Sequence, residues 1–280
     1  MFIEQTCTLE AVAVTSLDKE LFALKKSSPQ LDVYDAISFK RRGSITIPNC
    51  TANFIDIAAC SFHHCVYILN ATYAADDKHS KSTIIRLEMP SKHSQWKVEN
   101  LSSDAAISVT SSHRVLVSFG GGSSKLHLFS TNGVPLDTVE LHRDITSMNC
   151  AVELVPGQYV VTHGRDYDAL HRICVVNSEG KILHTFGGLR GSHPSLLDTP
   201  SGVVVDKDGF VYVSDEKNNR LIVLTQDLNC LLCMQGVFPN SSRSNIHRTL
   251  KVDKESGRIY VGYHYWKAKQ HINAVAVFEI

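Results

Sequence analysis

Aromatic and cationic side chains alternate along several short polar stretches in the second half of this chain, a mixture of residue types suited to gripping another molecule. Read as loops between strands, the stretches are His163-Gly164-Arg165-Asp166-Tyr167, Leu189-Arg190-Gly191-Ser192-His193, Ser242-Arg243-Ser244-Asn245-Ile246-His247-Arg248 and Tyr263-His264-Tyr265-Trp266-Lys267-Ala268-Lys269. Tyr, Trp and Arg bury large areas with few rotatable bonds, which is the chemistry of protein-interface hot spots. The same side chains can stack unpaired bases and hold phosphates. Between Val237 and Asn273 there are seven Lys or Arg against two acids, yet the whole chain has a formal charge of +0 and a pI near 7.2. A nucleic-acid domain ordinarily carries an overall basic excess. The expected ligand is therefore a protein, with RNA as the alternative and no DNA. Candidate contacts are Arg165, Tyr167, Arg190, Arg243, Arg248, Tyr263, His264, Tyr265, Trp266, Lys267 and Lys269. Lys217 and Arg220 are secondary, because Asp215 and Arg220 flank one turn and read first as an ion pair inside a single sheet, worth little if exposed.

Chemistry of the catalytic kind is harder to find. Cys60, His63, His64 and Cys65 are the densest metal-ligand types, but they share one turn and have no second cluster at zinc-site spacing. Cys230 and Cys233 are three apart in an apolar strand, so their side chains point to opposite faces. There is no Gly-x-Ser-x-Gly elbow and no Gly-rich phosphate loop. The expectation is a chain with no metal, no cofactor and no enzymatic activity.

The elements that must position these residues repeat along the chain. Apolar strands centred on Phe22, Tyr67, Leu116, Val160, Tyr212 and Tyr260 recur at spacings of 44–52 residues, each preceded by another apolar strand and a short turn. A period of roughly 40–50 residues is that of a β-propeller blade. The fifth repeat is the clearest: Val203 to Val205 suits burial on both faces, Asp208-Gly209 makes a hairpin, Val211 to Ser214 returns, Asn218-Asn219 turns again, and Leu221 to Leu224 and Cys230 to Met234 complete four strands. The expected architecture is all-β, a single six-bladed propeller over 1–280 with blades near 9–48, 52–100, 104–142, 148–188, 200–237 and 247–280. Phe2 to Leu9 is expected to pair beside Val275 to Phe278 and close the ring, leaving no free sheet edge at its ends.

A chain of 280 residues, 43% hydrophobic and 20% charged, fits one large all-β domain. No apolar stretch approaches the roughly 20 residues of a membrane span, and Met1 to Gln5 lack the basic and apolar regions of a secretory signal. Eight cysteines in this length are not a disulfide scaffold. Cytoplasmic residence without membrane contact is expected.

The fifth repeat, with Gly202-Val203-Val204-Val205-Asp206, Gly209-Phe210-Val211-Tyr212-Val213-Ser214-Asp215 and Asn218-Asn219-Arg220-Leu221, resembles an NHL repeat. The sixth resembles it through two strands, and the first four keep its hydrophobic skeleton. NHL propellers often form the C-terminal part of tripartite-motif ubiquitin ligases and select the target, so the resemblance implies partner recognition. Some members bind RNA stem-loops instead. These residues hold no RING, B-box or coiled coil, so any ligase activity would lie outside them. Six-bladed propellers also include gluconolactonase-like hydrolases and the peptidyl-hydroxyglycine lyase, a second alternative. Both need metal ligands converging on the central channel. Here Ser201 stands where the lactonase type has Asn, the inner strands carry no histidine, and His163 and His264 supply only two.

Overall fold

The computed structural model describes residues 4–7, 13–25, 28–50, 53–72, 81–89, 92–98, 105–119, 124–236, 249–267 and 270–279. Strand β1 (Glu4–Cys7) comes first. Blade 1 holds β2 (Ala13–Leu17), β3 (Glu20–Leu24), β4 (Gln30–Asp35) and β5 (Arg41–Thr46), and blade 2 holds β6 (Phe54–Cys60), β7 (Cys65–Thr72), β8 (Lys81–Glu88) and β9 (Lys92–Val98). Blade 3 is β10 (Ala106–Val109), β11 (Val115–Phe119), β12 (Lys125–Phe129) and β13 (Pro135–Glu140). Blade 4 is β14 (Met148–Val155), β15 (Gln158–His163), β16 (Leu170–Asn177) and β17 (Ile182–Leu189). Blade 5 is β18 (Pro200–Val205), β19 (Val211–Asp215), β20 (Arg220–Leu224) and β21 (Cys230–Gln235), and blade 6 adds β22 (Thr249–Asp253), β23 (Arg258–Lys267) and β24 (Gln270–Glu279). Six four-stranded antiparallel sheets result, the last ordered β1-β24-β23-β22.

Burial explains the strand types. Second and third strands such as β11, β19 and β20 are buried at every residue, which is why each centres on an apolar run. Outer strands β5 and β13 are mostly exposed and polar. Blade 5 departs from this, because Leu231 and Leu232 of its outer strand β21 are exposed. The hydrophobic core is divided into six clusters, each made by two neighbouring blades, including one that joins Val14, Leu21 and Tyr34 of blade 1 to Tyr260, Val275 and Val277 of blade 6. Blade 1 packs on blade 2 on one side, and the ring must close for it to have a partner on the other. Closure occurs as the sequence predicts, with Glu4, Gln5, Thr6 and Cys7 opposite Phe278, Val277, Ala276 and Val275.

One expected loop is a strand instead. Tyr263, His264, Tyr265, Trp266 and Lys267 continue β23 and pair with Ala274, Asn273, Ile272, His271 and Gln270 of β24. Strand β22 reaches only as far as Gly262, so the hairpin extends past it. Aromatic residues favour a pleated ladder over an irregular loop, and a mixed aromatic and basic composition hid that preference. Among the described residues there is no helix long and apolar enough to cross a membrane.

Candidate functional site

Antiparallel meanders place alternate turns on opposite faces of the ring. One face therefore collects the β15–β16 loop, the β17–β18 loop and the β19–β20 turn, and in blades 4 and 5 these are tied together by polar contacts. Asp166 accepts from Lys217 of blade 5 and lies 3.9 Å from Arg190, whose Nη1 also donates to the Asp166 carbonyl at 3.3 Å. Arg190 Nε reaches Asp198 at 2.9 Å. Two candidates named from sequence, Arg190 and Lys217, thus belong to one cluster around Asp166 and Asp198, with Tyr167 at the tip of the loop that carries Asp166, whereas the Arg165 side chain turns to Asn149.

The loop that carries Tyr167 is fastened from beneath. His171 is fully buried, and its Nδ1 accepts the Thr199 N–H at 2.8 Å. Its Nε2 must then carry the proton, which it donates to the carbonyls of Arg165 at 2.9 Å and Asp168 at 3.2 Å. Asn149, near the start of inner strand β14, accepts from Arg165 Nε at 2.9 Å and donates to the carbonyls of Gly164 and Pro200. Burial works to raise the Asp168 carboxyl, but hydrogen bonds from Ser147, the Arg165 N–H and Thr146 outweigh it and hold the group below its ordinary value. Gly164 sits at φ +108°, and a Cβ there would lie 2.4 Å from the Leu170 carbonyl oxygen, so no other residue fits this turn. Tyr167 itself is 102% exposed.

Arg220 is not a surface contact. It pairs with Asp215 in register, and Nε meets Oδ2 at 2.6 Å with the two side chains 1% and 0% exposed. The ion pair expected within one blade is therefore present but buried, and Arg220 drops out as a docking residue. Its Nη2 donates to the carbonyls of His193 at 3.2 Å and Leu196, clamping the β17–β18 loop. Asn218 and the Asp198 N–H complete the shell around Asp215. Burial still pushes the Asp215 carboxyl above its ordinary value against these bonds.

Of the remaining candidates, Arg243, Arg248 and Lys269 lie outside the described residues, as do the side chains of Tyr263, His264, Tyr265, Trp266 and Lys267. Part of the basic excess in this segment is spent internally. Lys251 on β22 crosses the channel, skipping blade 1, to bond Asp56 of blade 2 and the Ile107 carbonyl of blade 3, each at 3.0 Å. Arg258 pairs with Glu279. Sequence reasoning missed Asn149, Asp166, Asp168, His171, Asp198 and Leu189. The Asp-Tyr-Asp spacing after Gly164 was the one available signal of a fastened loop. Among the described residues no group of three His, Cys, Asp or Glu side chains is placed to hold a metal.

His163 makes the site acid-sensitive. Burial, and then the charge of Arg172, which donates to its Nε2 at 3.3 Å, lower its pKa from 6.5 to about 4. The fold holds it neutral while the unfolded chain takes a proton below 6.5, so stability is lost as pH falls from there through about 4. The full loss is about 3 kcal/mol. Urea midpoints at neutral and acid pH are expected to separate less in His163→Gln than in the native chain, and equal separations would contradict this assignment.

The NHL repeat family matches residues 197–224, the start of blade 5 and the loop before it. A search of curated proteins found no significant match. Among solved structures, a catalytically inactive variant of virginiamycin B lyase from Staphylococcus aureus with quinupristin aligns over 100% of both chains at 11% identity and a TM-score of 0.63. The PQQ-bound aldose sugar dehydrogenase from Streptomyces coelicolor covers 100% of this chain and 99% of its own at 10% identity and a TM-score of 0.63. A chain of a nidogen/laminin complex aligns over 80% of this chain and 79% of its own at 14% identity and a TM-score of 0.59. At these identities the likeness is one of fold. It nevertheless overturns the expectation that the chain is not an enzyme, because the same ring of blades carries a lyase and a dehydrogenase. Catalytic groups of a propeller sit on loops that vary independently of the blade skeleton, so missing sequence motifs were not sufficient grounds for that exclusion.

Proposed function

We propose that this chain is a partner-binding propeller that grips a protein with the face built by blades 4 and 5 around Tyr167. The observation that carries the reading is a fully exposed aromatic at the tip of a loop locked from below by His171 and Asn149. A rigid loop presenting a large aromatic loses little entropy on binding, which is the requirement of a hot spot. Leu189, 67% exposed, adds apolar area, and Arg190 and Lys217 stand beside it already oriented by Asp166 and Asp198. Thr199, a β-branched residue at φ 58°, supplies the N–H for His171, and such strain is kept where a particular loop shape matters.

Two comparisons support this reading. The NHL match falls on the blade that contributes Lys217, and one structural neighbour comes from a complex of two proteins. The role proposed is target selection of the kind NHL propellers perform for tripartite-motif ubiquitin ligases. A cytoplasmic setting is proposed with it, where unpaired cysteines such as Cys50, Cys174 and Cys230 persist. Tyr167→Ala with Leu189→Ser is expected to weaken partner binding about tenfold or more while leaving the melting temperature unchanged. Retained affinity in this variant would sink the assignment. Saturable, salt-sensitive binding of structured RNA that is lost in Trp266→Ala, Lys267→Ala would instead move the function to RNA.

A further inference from the structure

Far from the proposed docking face, blade 2 holds two thiols that its function as a scaffold does not require. Cys60 ends β6, Cys65 begins β7, and the two are direct partners in register. Residues directly opposite in an antiparallel pair have Cα atoms about 4.5–5.5 Å apart and side chains on the same face. That separation falls within the window of about 4.4–6.8 Å over which a disulfide can form without moving the backbone. Both cysteines are free thiols, buried in the cluster between blades 2 and 3. They lie just beneath the turn of Ser61, Phe62, His63 and His64, of which all but the half-buried His63 are exposed, so a small oxidant has a short path to them.

Their surroundings also make the two sulfurs unequal. Arg86, a guanidinium only 12% exposed, lies beside Cys65 together with Tyr67. A hydrogen bond from the Cys60 thiol, then Arg86 and Tyr67, hold Cys65 below the usual thiol range, and the same contact pushes Cys60 up. A low thiol beside a cation is the form that reacts. The other cysteines with described surroundings lack this arrangement. Cys150 and Cys174 are pushed up by burial, and Cys230 and Cys233 stand three apart on one strand.

We propose that Cys60 and Cys65 are an oxidative modification site, a thiol pair that hydroperoxides convert to a disulfide within blade 2. The Cys65 thiolate attacks the terminal oxygen of the hydroperoxide. An S–O bond forms, the O–O bond breaks, and the alcohol leaves after taking up a proton. Cys60, giving up its proton, attacks the Cys65 sulfenic acid. The S–S bond forms and the S–O bond breaks, with hydroxide leaving as water. Two thiols lose two electrons, and one hydroperoxide is reduced to alcohol and water. The turn that the disulfide closes is also held by its neighbours. His64 bonds Asp18 of blade 1 at 2.8 Å, and Phe62 stacks on His113 of blade 3 with ring centroids 4.2 Å apart. The cross-link therefore stiffens three blades on the face opposite Tyr167.

The test treats the reduced full chain with tert-butyl hydroperoxide, blocks remaining thiols under denaturing conditions and maps the peptides. The peptide that spans both cysteines is expected two hydrogens lighter and unblocked at Cys60 and Cys65, and dithiothreitol restores both thiols. In Cys60→Ser, Cys65 is expected to be trapped as sulfenic acid by a 1,3-dicarbonyl probe. Two results on the native chain would overturn the proposal. One is full blocking of Cys60 and Cys65 while the exposed Cys230 is oxidised, and the other is sulfinic acid at Cys65 with Cys60 still a thiol.

Discussion

Arg220→Ala is expected to lower folding stability by about 3–5 kcal/mol, the range for removing one partner of a buried ion pair. The reason lies in what remains. Asp215 would stay fully buried with Asn218 and the Asp198 N–H as partners but no cation. The carbonyls of His193 and Leu196 would lose their donor. Since burial already pushes Asp215 up, the pair is an expensive fastener whose value is registry: it fixes the β17–β18 loop against blade 5. Adding Asp215→Asn to Arg220→Ala is expected to recover part of the loss, because the orphaned charge is gone. Chemical denaturation of the native chain and the two variants checks both statements. A cost within 1 kcal/mol for Arg220→Ala would mean the pair does not hold the loop, and partner binding should then be unaffected as well.

Removing residues 1–7 is expected to be the most damaging truncation of comparable length. It strips β1 from β24 and so deletes four registered pairs. At about 0.5–1.5 kcal/mol net for each of about four ladder hydrogen bonds, the loss is about 2–6 kcal/mol, a large share of the usual 5–15 kcal/mol. It also opens β24 as a free edge able to pair with another chain. The shortened chain should unfold at lower denaturant concentration and associate on size exclusion. A synthetic peptide of the first nine residues should reverse both effects. An unchanged midpoint would show that the ring does not depend on this strand for closure.

The blade skeleton was legible because each central strand is an apolar run bounded by turn residues, and burial on both faces leaves such runs little freedom. Asp215 and Arg220 were legible as a pair because register places them opposite each other across a four-residue turn. Their burial was not, since it depends on Leu196 and His193 from the preceding loop. The fastening of Tyr167 was hidden for the same reason. Asp166 meets Lys217, and His171 meets Thr199, only after two blades have packed. Lys251 looked like part of a basic surface because its partner Asp56 lies in blade 2, far away in sequence. Tyr263 to Lys267 were read as a loop from composition, while their strand pairing depends on Gln270 to Ala274 returning alongside.

The docking assignment is tested most directly by affinity capture from cell extract, using the native chain and the Tyr167→Ala, Leu189→Ser variant, with and without ribonuclease treatment. A discrete set of proteins is expected on the native chain, depleted about tenfold or more on the variant and unchanged by ribonuclease. Equal retention by the two chains, or a set that vanishes with ribonuclease, would contradict protein binding through the blade 4 and 5 face.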